Sequence, residues 1–394
     1  MTIPALMPTY ARMDVAFERG EGAWLFATDG RKYLDFGTGI AVSALGHGHP
    51  RLVAAIQEQA AKVIHTSNLY RVPGQEAAAE KLVANTFADT VFFGNSGAEA
   101  LELALKIARR FHQSQGVDKH RVIVTRNAFH GRTLATIAAG GQEKHLAGFG
   151  PMVEGFDRVP FGNMNEARNA VTEQTAAVLV EPVQGEGGIV PADAEYLRGL
   201  RAMCDEYGLL LMFDEVQTGN GRTGKLYAHQ WTGMAPDVMA TAKGLGGGFP
   251  VGAVLATERA ASCMTAGTHG TTYGGNPLAM AAVNAVLDEV LAPGFLENVQ
   301  ATAAHLREKL QALAAENPGV IAEVRGLGLM LGLKMAEGVT NTDIVGRALK
   351  AGLLVVPAGD NVVRLLPPLI IGTAEADAAV DILSRVCKDT APAR

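Results

Sequence analysis

Cysteine is scarce: Cys204, Cys263 and Cys387 stand far apart in 394 residues. An odd number with no CxxC pair supports neither a disulfide framework nor a thiolate metal site, and it fits a reducing compartment. Long apolar runs are missing too, since none nears the roughly 18–20 residues of a membrane span. The stretch from Met1 to Asp14 has no basic region followed by an apolar run, so no secretory signal is expected. Excess positive charge is also lacking. The formal net charge of −6 argues against a nucleic-acid or polybasic membrane partner. These absences predict a soluble, cytoplasmic protein.

What is present is core-forming material, with 48% hydrophobic against 19% charged residues, which excludes global disorder. At roughly 100–200 residues per domain the chain predicts two or three domains. Trp24 to Phe36 reads as a β-hairpin about Asp29-Gly30. From about Gly46 to Ala292 apolar runs alternate with helical patterns. Strands are expected at Thr90–Phe93, Val122–Thr125, Ala176–Val180, Leu209–Phe213, Val238–Thr241 and Val251–Ala256, with a helix at Ala194–Tyr207. Such alternation predicts an α/β fold with a mainly parallel sheet covered on both faces.

Beyond Pro293 the pattern changes. Val299, Ala303, Leu306, Leu310 and Leu313 mark an amphipathic helix. Strand character follows at Glu323–Lys334, Leu353–Val356 and Val362–Leu366, then a helix near Ala374–Val386. The expected division is an N-terminal segment 1–45, a large domain 46–292 and a smaller α+β domain 293–394 that the N-terminal hairpin joins.

Three stretches carry chemistry. In Phe92-Phe93-Gly94-Asn95-Ser96-Gly97-Ala98-Glu99-Ala100 an apolar strand ends in a turn before a helix. Free N–H groups at the helix start, with the Ser96 hydroxyl, suit a phosphate; the plainer alternative is Ser96 as an N-cap. In Leu209-Leu210-Leu211-Met212-Phe213-Asp214-Glu215-Val216-Gln217 two carboxylates stand at the C-terminal end of a buried strand, the edge where open α/β sheets bind ligands. Asp214 could there stabilise a protonated ring nitrogen and Gln217 donate to a phenolate oxygen, unless both acids merely cap or face solvent. In Thr241-Ala242-Lys243-Gly244-Leu245-Gly246-Gly247-Gly248 a lysine follows a strand and precedes a glycine-rich loop. Desolvation lowers the pKa of such a lysine and makes it an amine nucleophile able to form a Schiff base with an aldehyde.

Gly219-Asn220-Gly221-Arg222-Thr223-Gly224-Lys225 imitates a nucleotide-binding P-loop. However, Leu226 stands where a magnesium-binding Ser or Thr is required, and one strand would have to serve two roles. His47-x-His49 lacks a third ligand cluster, so no metal is expected there, and both are read as turn or interface residues. His130 is read as structural.

A phosphate turn, a strand-end Asp and a lysine before a Gly-rich loop together supply what pyridoxal phosphate (PLP) requires. The chain resembles class III (ornithine/4-aminobutyrate-type) aminotransferases along nearly its whole length, and most of all their acetylornithine-processing members. The resemblance runs through Gly46-His47-Gly48-His49-Pro50, Asn95 to Ala100, Phe129-His130-Gly131-Arg132-Thr133, Glu181 to Gly188, Asp214 to Gly219, the Lys243 stretch and Thr271 to Pro277.

The resemblance implies the fold-type I PLP architecture and a homodimer with active sites at its interface. It implies that Gly97 and Ala98, beside Ser96, hold the cofactor phosphate, with Thr272 reaching it from the neighbouring subunit. Phe129 and Val216 would cover the two ring faces, Asp214 pair with the ring nitrogen, Gln217 with the 3′-oxygen, and Lys243 hold the cofactor and move the proton. Arg132, with Thr271 nearby, would take the α-carboxylate of the acylated ornithine, and Arg364 that of glutamate or 2-oxoglutarate, with Glu186 masking Arg364 in the other half-reaction. Two positions depart from relatives. Ile40 stands near where ornithine aminotransferase has a tyrosine for a free α-amino group, which suits an acylated donor such as N2-acetyl-L-ornithine. Ala98 replaces a common Thr and drops one phosphate donor. A succinylornithine, ornithine or 4-aminobutyrate aminotransferase, or a non-catalytic PLP-binding homologue, are the other readings.

Overall fold

The structure, a computed structural model, describes residues 4–390; the outermost ends of the two expected terminal segments, 1–3 and 391–394, lie outside the described residues. The six expected strands form one sheet with a seventh member. Its order is Thr90–Gly94, Gly252–Ala256, Val238–Thr241, Leu210–Asp214, Thr175–Val180, Arg121–Thr125 and Phe156–Val159. Neighbours from Val238–Thr241 to Phe156–Val159 pair in parallel, while Gly252–Ala256 runs against both of its neighbours. The mainly parallel sheet is therefore present. Phe156–Val159, the strand the sequence pattern omits, is a four-residue edge strand with Asp157 and Arg158 at its centre.

Strand side chains alternate between faces, and both faces are covered. Leu211 and Phe213 join Val178, Val180, Met239 and Leu255 in one apolar cluster. Leu210 and Met212 join Leu101, Ala104, Leu105 and Ala108 of helix Gly97–Gln113 in another. Truncating a buried ring such as Phe213 to Ala would cost about 3–5 kcal/mol. Helix Gly97–Gln113 starts where Ser96 Oγ accepts the Glu99 N–H at 3.2 Å, and the Glu99 carboxylate reaches back to the Asn95 N–H. That reciprocal cap fixes where the first-turn N–H groups point.

The C-terminal third has a separate apolar cluster in which Leu34 and Phe36 pack with Leu306, Leu310, Leu331 and Leu365. Its sheet is antiparallel, in the order Ile321–Leu327, Met330–Met335, Val362–Leu365, Val356–Ala358. The stretch expected as strand over Glu323–Lys334 is thus a hairpin. It turns at Gly328, whose φ is +58° and where a Cβ would lie 2.4 Å from the Thr223 backbone. The expected N-terminal hairpin is strands Trp24–Ala27 and Lys32–Asp35, extended by Phe17–Glu21; Lys32–Asp35 pairs in parallel with Leu353–Leu354. We propose domain boundaries near 45/46 and 292/293, a division that the separate apolar clusters support.

No single helix among the described residues is long and apolar enough to cross a membrane. Helices Pro277–Val290 and Phe295–Glu316 are apolar as a pair but meet at 69°, and both bury residues in the protein core.

Candidate active site

The loops leaving the C-terminal ends of five sheet strands converge on one cavity of about 330 Å³. Ser96, Gly97 and Ala98 follow Thr90–Gly94; Phe129 and His130 follow Arg121–Thr125; Glu181 follows Thr175–Val180. Asp214, Val216 and Gln217 come from the end of Leu210–Asp214, and Lys243 from just beyond Val238–Thr241.

The adjacent acids Asp214 and Glu215 part company because consecutive residues face opposite ways. Asp214 faces the cavity, with Oδ2 2.7 Å from His130 Nδ1 and Oδ1 accepting the Val216 N–H at 3.0 Å. Glu215 turns away and is wholly buried. It accepts from Thr218 Oγ1 and the Ala228 and His229 N–H groups at 2.7–2.8 Å, and its Oε1 lies 2.9 Å from His229 Nδ1. So Asp214 belongs to the site, while Glu215 ties down a loop, and neither acid is solvated.

His130 carries a raised pKa. Burial opposes its charge, but the hydrogen bond and charge of Asp214 outweigh that, and Glu181 adds to them. Glu181 is buried, its carboxyl raised above the usual range by desolvation. Its oxygens accept the Phe129 N–H at 3.1 Å and the Gly185 N–H at 3.3 Å.

Lys243 sits at φ +46° between Ala242 and the glycine loop. Asn220 Nδ2 donates to Thr241 Oγ1 and Ala242 O, both at 3.1 Å, and so fixes the peptide leading into the lysine. Burial first, then the nearby Arg364 cation, push the Lys243 amine down to about 8. Asn220 belongs to the stretch that imitates a P-loop. That stretch is a buried series of turns, and its Arg222 donates to the Leu329 and Pro367 carbonyls at 3.1 and 2.5 Å.

Arg364 is 1% exposed. Its Nη1 donates to Glu186 Oε1 at 2.7 Å and Gln217 Oε1 at 3.1 Å, and its Nη2 donates to Pro357 O at 3.2 Å. Arg364 and Glu186 are thus joined to the cavity through Gln217. Arg132 is exposed, its guanidinium carbon 5.7 Å from the Phe129 ring centre. Thr271 accepts from Asn95 Nδ2 and the Gly274 N–H, and Thr272 is exposed; neither lines this chain's cavity.

Sequence reasoning leaves out Glu181 as a site residue and takes His130 as merely structural. The structure places both on the cavity wall, His130 against Asp214. Glu181 had one available signal, since it stands at the C-terminal end of strand Thr175–Val180 much as Asp214 closes Leu210–Asp214. The His130–Asp214 contact spans 84 residues and has no local signature.

The family profile "Aminotransferase class-III" matches residues 6–387. An acetylornithine aminotransferase of Mesorhizobium japonicum is 58% identical over 394 residues, covering 100% of this chain and 98% of that protein. The N-acetylornithine aminotransferase structure from Stenotrophomonas maltophilia superposes with a TM-score of 0.84 at 38% identity, covering 96% of this chain and 97% of that one. An ornithine aminotransferase of Toxoplasma gondii, whose structure reveals partial occupancy of PLP at the active site, superposes with a TM-score of 0.93 at 30% identity over 97% and 92% of the two chains. With a profile spanning nearly every residue and a full-length relative at this identity, the chain belongs to the class III aminotransferases.

Proposed function

We propose that this protein transfers the δ-amino group of N2-acetyl-L-ornithine to 2-oxoglutarate, giving N-acetyl-L-glutamate 5-semialdehyde and L-glutamate, as a step of arginine biosynthesis. The carrying observation is the half-buried amine of Lys243 in the same cavity as the buried Asp214, beside the helix start at Gly97 and Ala98. The full-length 58% identity to an acetylornithine aminotransferase supports the choice of donor.

The cofactor is pyridoxal phosphate, and the residues present suit it. At Gly97 a Cβ would meet Val216 Cγ1 at 2.9 Å, so only glycine keeps this part of the cavity open. The first-turn N–H groups of Gly97 and Ala98 have no partner within the helix and suit an anion, with the Ser96 hydroxyl beside them. Phe129 and Val216 would flank the ring. When bound, the cofactor supplies an aldehyde for amine capture and a ring that accepts electron density.

The protein's own groups account for the rest. Asp214, pinned by His130 and the Val216 N–H, would face the ring nitrogen. Gln217 Oε1 is taken by Arg364, which leaves the amide N–H₂ to donate to the 3′-oxygen. A lysine near 8 has a useful neutral fraction at physiological pH, so Lys243 would hold the cofactor and, once displaced, carry the proton from the donor's δ-carbon. Arg132 and Thr271 would bind the donor's α-carboxylate, while Arg364 would bind that of 2-oxoglutarate after Glu186 releases it. Planar two-point binding of a carboxylate is why arginine serves both places. The protein would act as a homodimer, with Thr272 completing the neighbouring phosphate site. Its exposure and its position outside its own cavity support this.

The test is a comparison of kcat/KM for N2-acetyl-L-ornithine, N-succinylornithine, ornithine and 4-aminobutyrate, with 2-oxoglutarate as acceptor. The acetylated donor should lead; a lead for ornithine or 4-aminobutyrate would displace this reading.

A further inference from the structure

The turns at 219–225 are fastened to both halves of the site. On one side Asn220 Nδ2 holds Thr241 Oγ1 and Ala242 O, the peptide that leads into Lys243. The Gly219 N–H donates to Glu215 O at 3.0 Å, which ties the same turns to the strand end that carries Asp214. On the other side Arg222, 2% exposed, reaches across to the antiparallel sheet that carries Arg364.

The strand register explains that reach. Met330–Met335 and Val362–Leu365 run antiparallel, with Leu331 opposite Leu365 and Gly332 opposite Arg364. Two positions further on, Leu329 falls opposite Pro367, and proline has no N–H to give the ladder. Arg222 closes the ladder in its place. The Arg222 carbonyl accepts the Leu329 N–H at 3.0 Å, and Nη1 donates to Leu329 O at 3.1 Å and Pro367 O at 2.5 Å. Both acceptor residues are buried, so without this donor their carbonyls would stay unpaired. The turn at Gly328 rests directly on Thr223, the residue after Arg222, which leaves the joint no slack. The charge of Asp35 favours the buried guanidinium.

We propose that Arg222 is a positioning residue for the amino acceptor: by closing the ladder at Leu329 and Pro367 it sets where the Arg364 guanidinium stands relative to Lys243. The inference rests on the reading of Arg364 as the cation that binds 2-oxoglutarate. Arg364 sits just before the end of its strand, so a shift of that end carries the guanidinium with it. Its contacts tolerate little shift, with Glu186 at 2.7 Å and Gln217 at 3.1 Å. Arg364 also stands close enough for its charge to act on the Lys243 amine. The donor's carboxylate is assigned to Arg132 and Thr271 on other loops, so a displaced strand end should harm the acceptor first.

The experiment uses the PLP-loaded enzyme with Arg222→Met and Arg222→Lys. It measures kcat and KM for both substrates, KM for glutamate in the reverse direction, and the visible absorbance. Methionine keeps an unbranched apolar stem and removes the donors. Arg222→Met should raise KM for 2-oxoglutarate and for glutamate together, each about tenfold, with KM for N2-acetyl-L-ornithine within about twofold. The visible band should be unchanged, because Asn220 holds the peptide before Lys243. Lysine keeps a charged donor on a stem one bond shorter, so Arg222→Lys should recover part of the loss. Equal rises for both substrates, no rise, or a lysine variant no better than methionine would overturn the proposal. If Arg222→Met fails to fold, Arg222→Lys decides alone. A rise of about threefold confined to 2-oxoglutarate and glutamate then supports the proposal, and an unselective or absent rise overturns it. Arg364→Lys, measured alongside, tests the reading beneath: an unchanged KM for 2-oxoglutarate there would remove that reading, whatever the Arg222 variants do.

Discussion

Arg364 Nη1 lies 2.7 Å from Glu186 Oε1, a charge pair in which the arginine is 1% exposed and the glutamate only half-buried. The burial is asymmetric: the glutamate can leave for solvent, whereas the arginine must find another anion. A dicarboxylic substrate supplies one. Replacing Glu186 with Ala removes the competitor, so KM for 2-oxoglutarate should fall by about tenfold, the value of one charge-assisted hydrogen bond. An unchanged or raised KM would mean that Glu186 does not mask Arg364.

Arg364→Lys keeps the charge and loses the fork. KM for 2-oxoglutarate should rise by about 10–100-fold while the acetylornithine half-reaction keeps its rate. Single-turnover absorbance with each substrate separates the two. Damage confined to the acetylornithine half-reaction would exchange the roles proposed for Arg132 and Arg364.

His130→Ala leaves Asp214 without its buried partner, and kcat should fall about 10–100-fold. Asparagine places an N–H₂ where Nδ1 stands, so His130→Asn should recover part of that. If both variants match the wild type, the 2.7 Å contact has no part in positioning the Asp214 carboxylate.

Lys243 gives a signed pH effect in the cofactor-free protein. Its amine is held at about 8 when folded against an ordinary 10.5. Between those values the unfolded chain binds the extra proton, so the contribution to stability rises as pH increases from about 8 to 10.5 and is lost below. Thermal unfolding of wild type against Lys243→Ala across that range isolates the lysine's contribution. The wild type should gain relative to the variant with rising pH, and a constant gap would contradict the lowered value.

The parts of this arrangement legible in the sequence are those written locally. Asp214 ends an apolar strand, Lys243 follows another before glycines, and Ser96 opens a helix, so each announces its place. The parallel sheet was legible for the same reason, because strands such as Ala176–Val180 are apolar on both faces. Phe156–Val159 was not, since Asp157 and Arg158 interrupt its apolar character. Nor was the turn at Gly328, which depends on the Thr223 backbone lying against it. His130 and Glu181 were hidden by distance along the chain, because a hydrogen bond to Asp214 or to the Phe129 N–H exists only after the strands assemble. His47 lay in a recognised motif, but its partner, Asp35, is named only by the fold.

The most direct test is an absorbance titration of the purified protein with added PLP. A visible band from the cofactor attached to Lys243 should be lost on adding N2-acetyl-L-ornithine and restored by 2-oxoglutarate, and it should be absent in Lys243→Ala. If the wild type shows no visible band after PLP is added, or the Lys243→Ala variant keeps full turnover, the account of this site is contradicted.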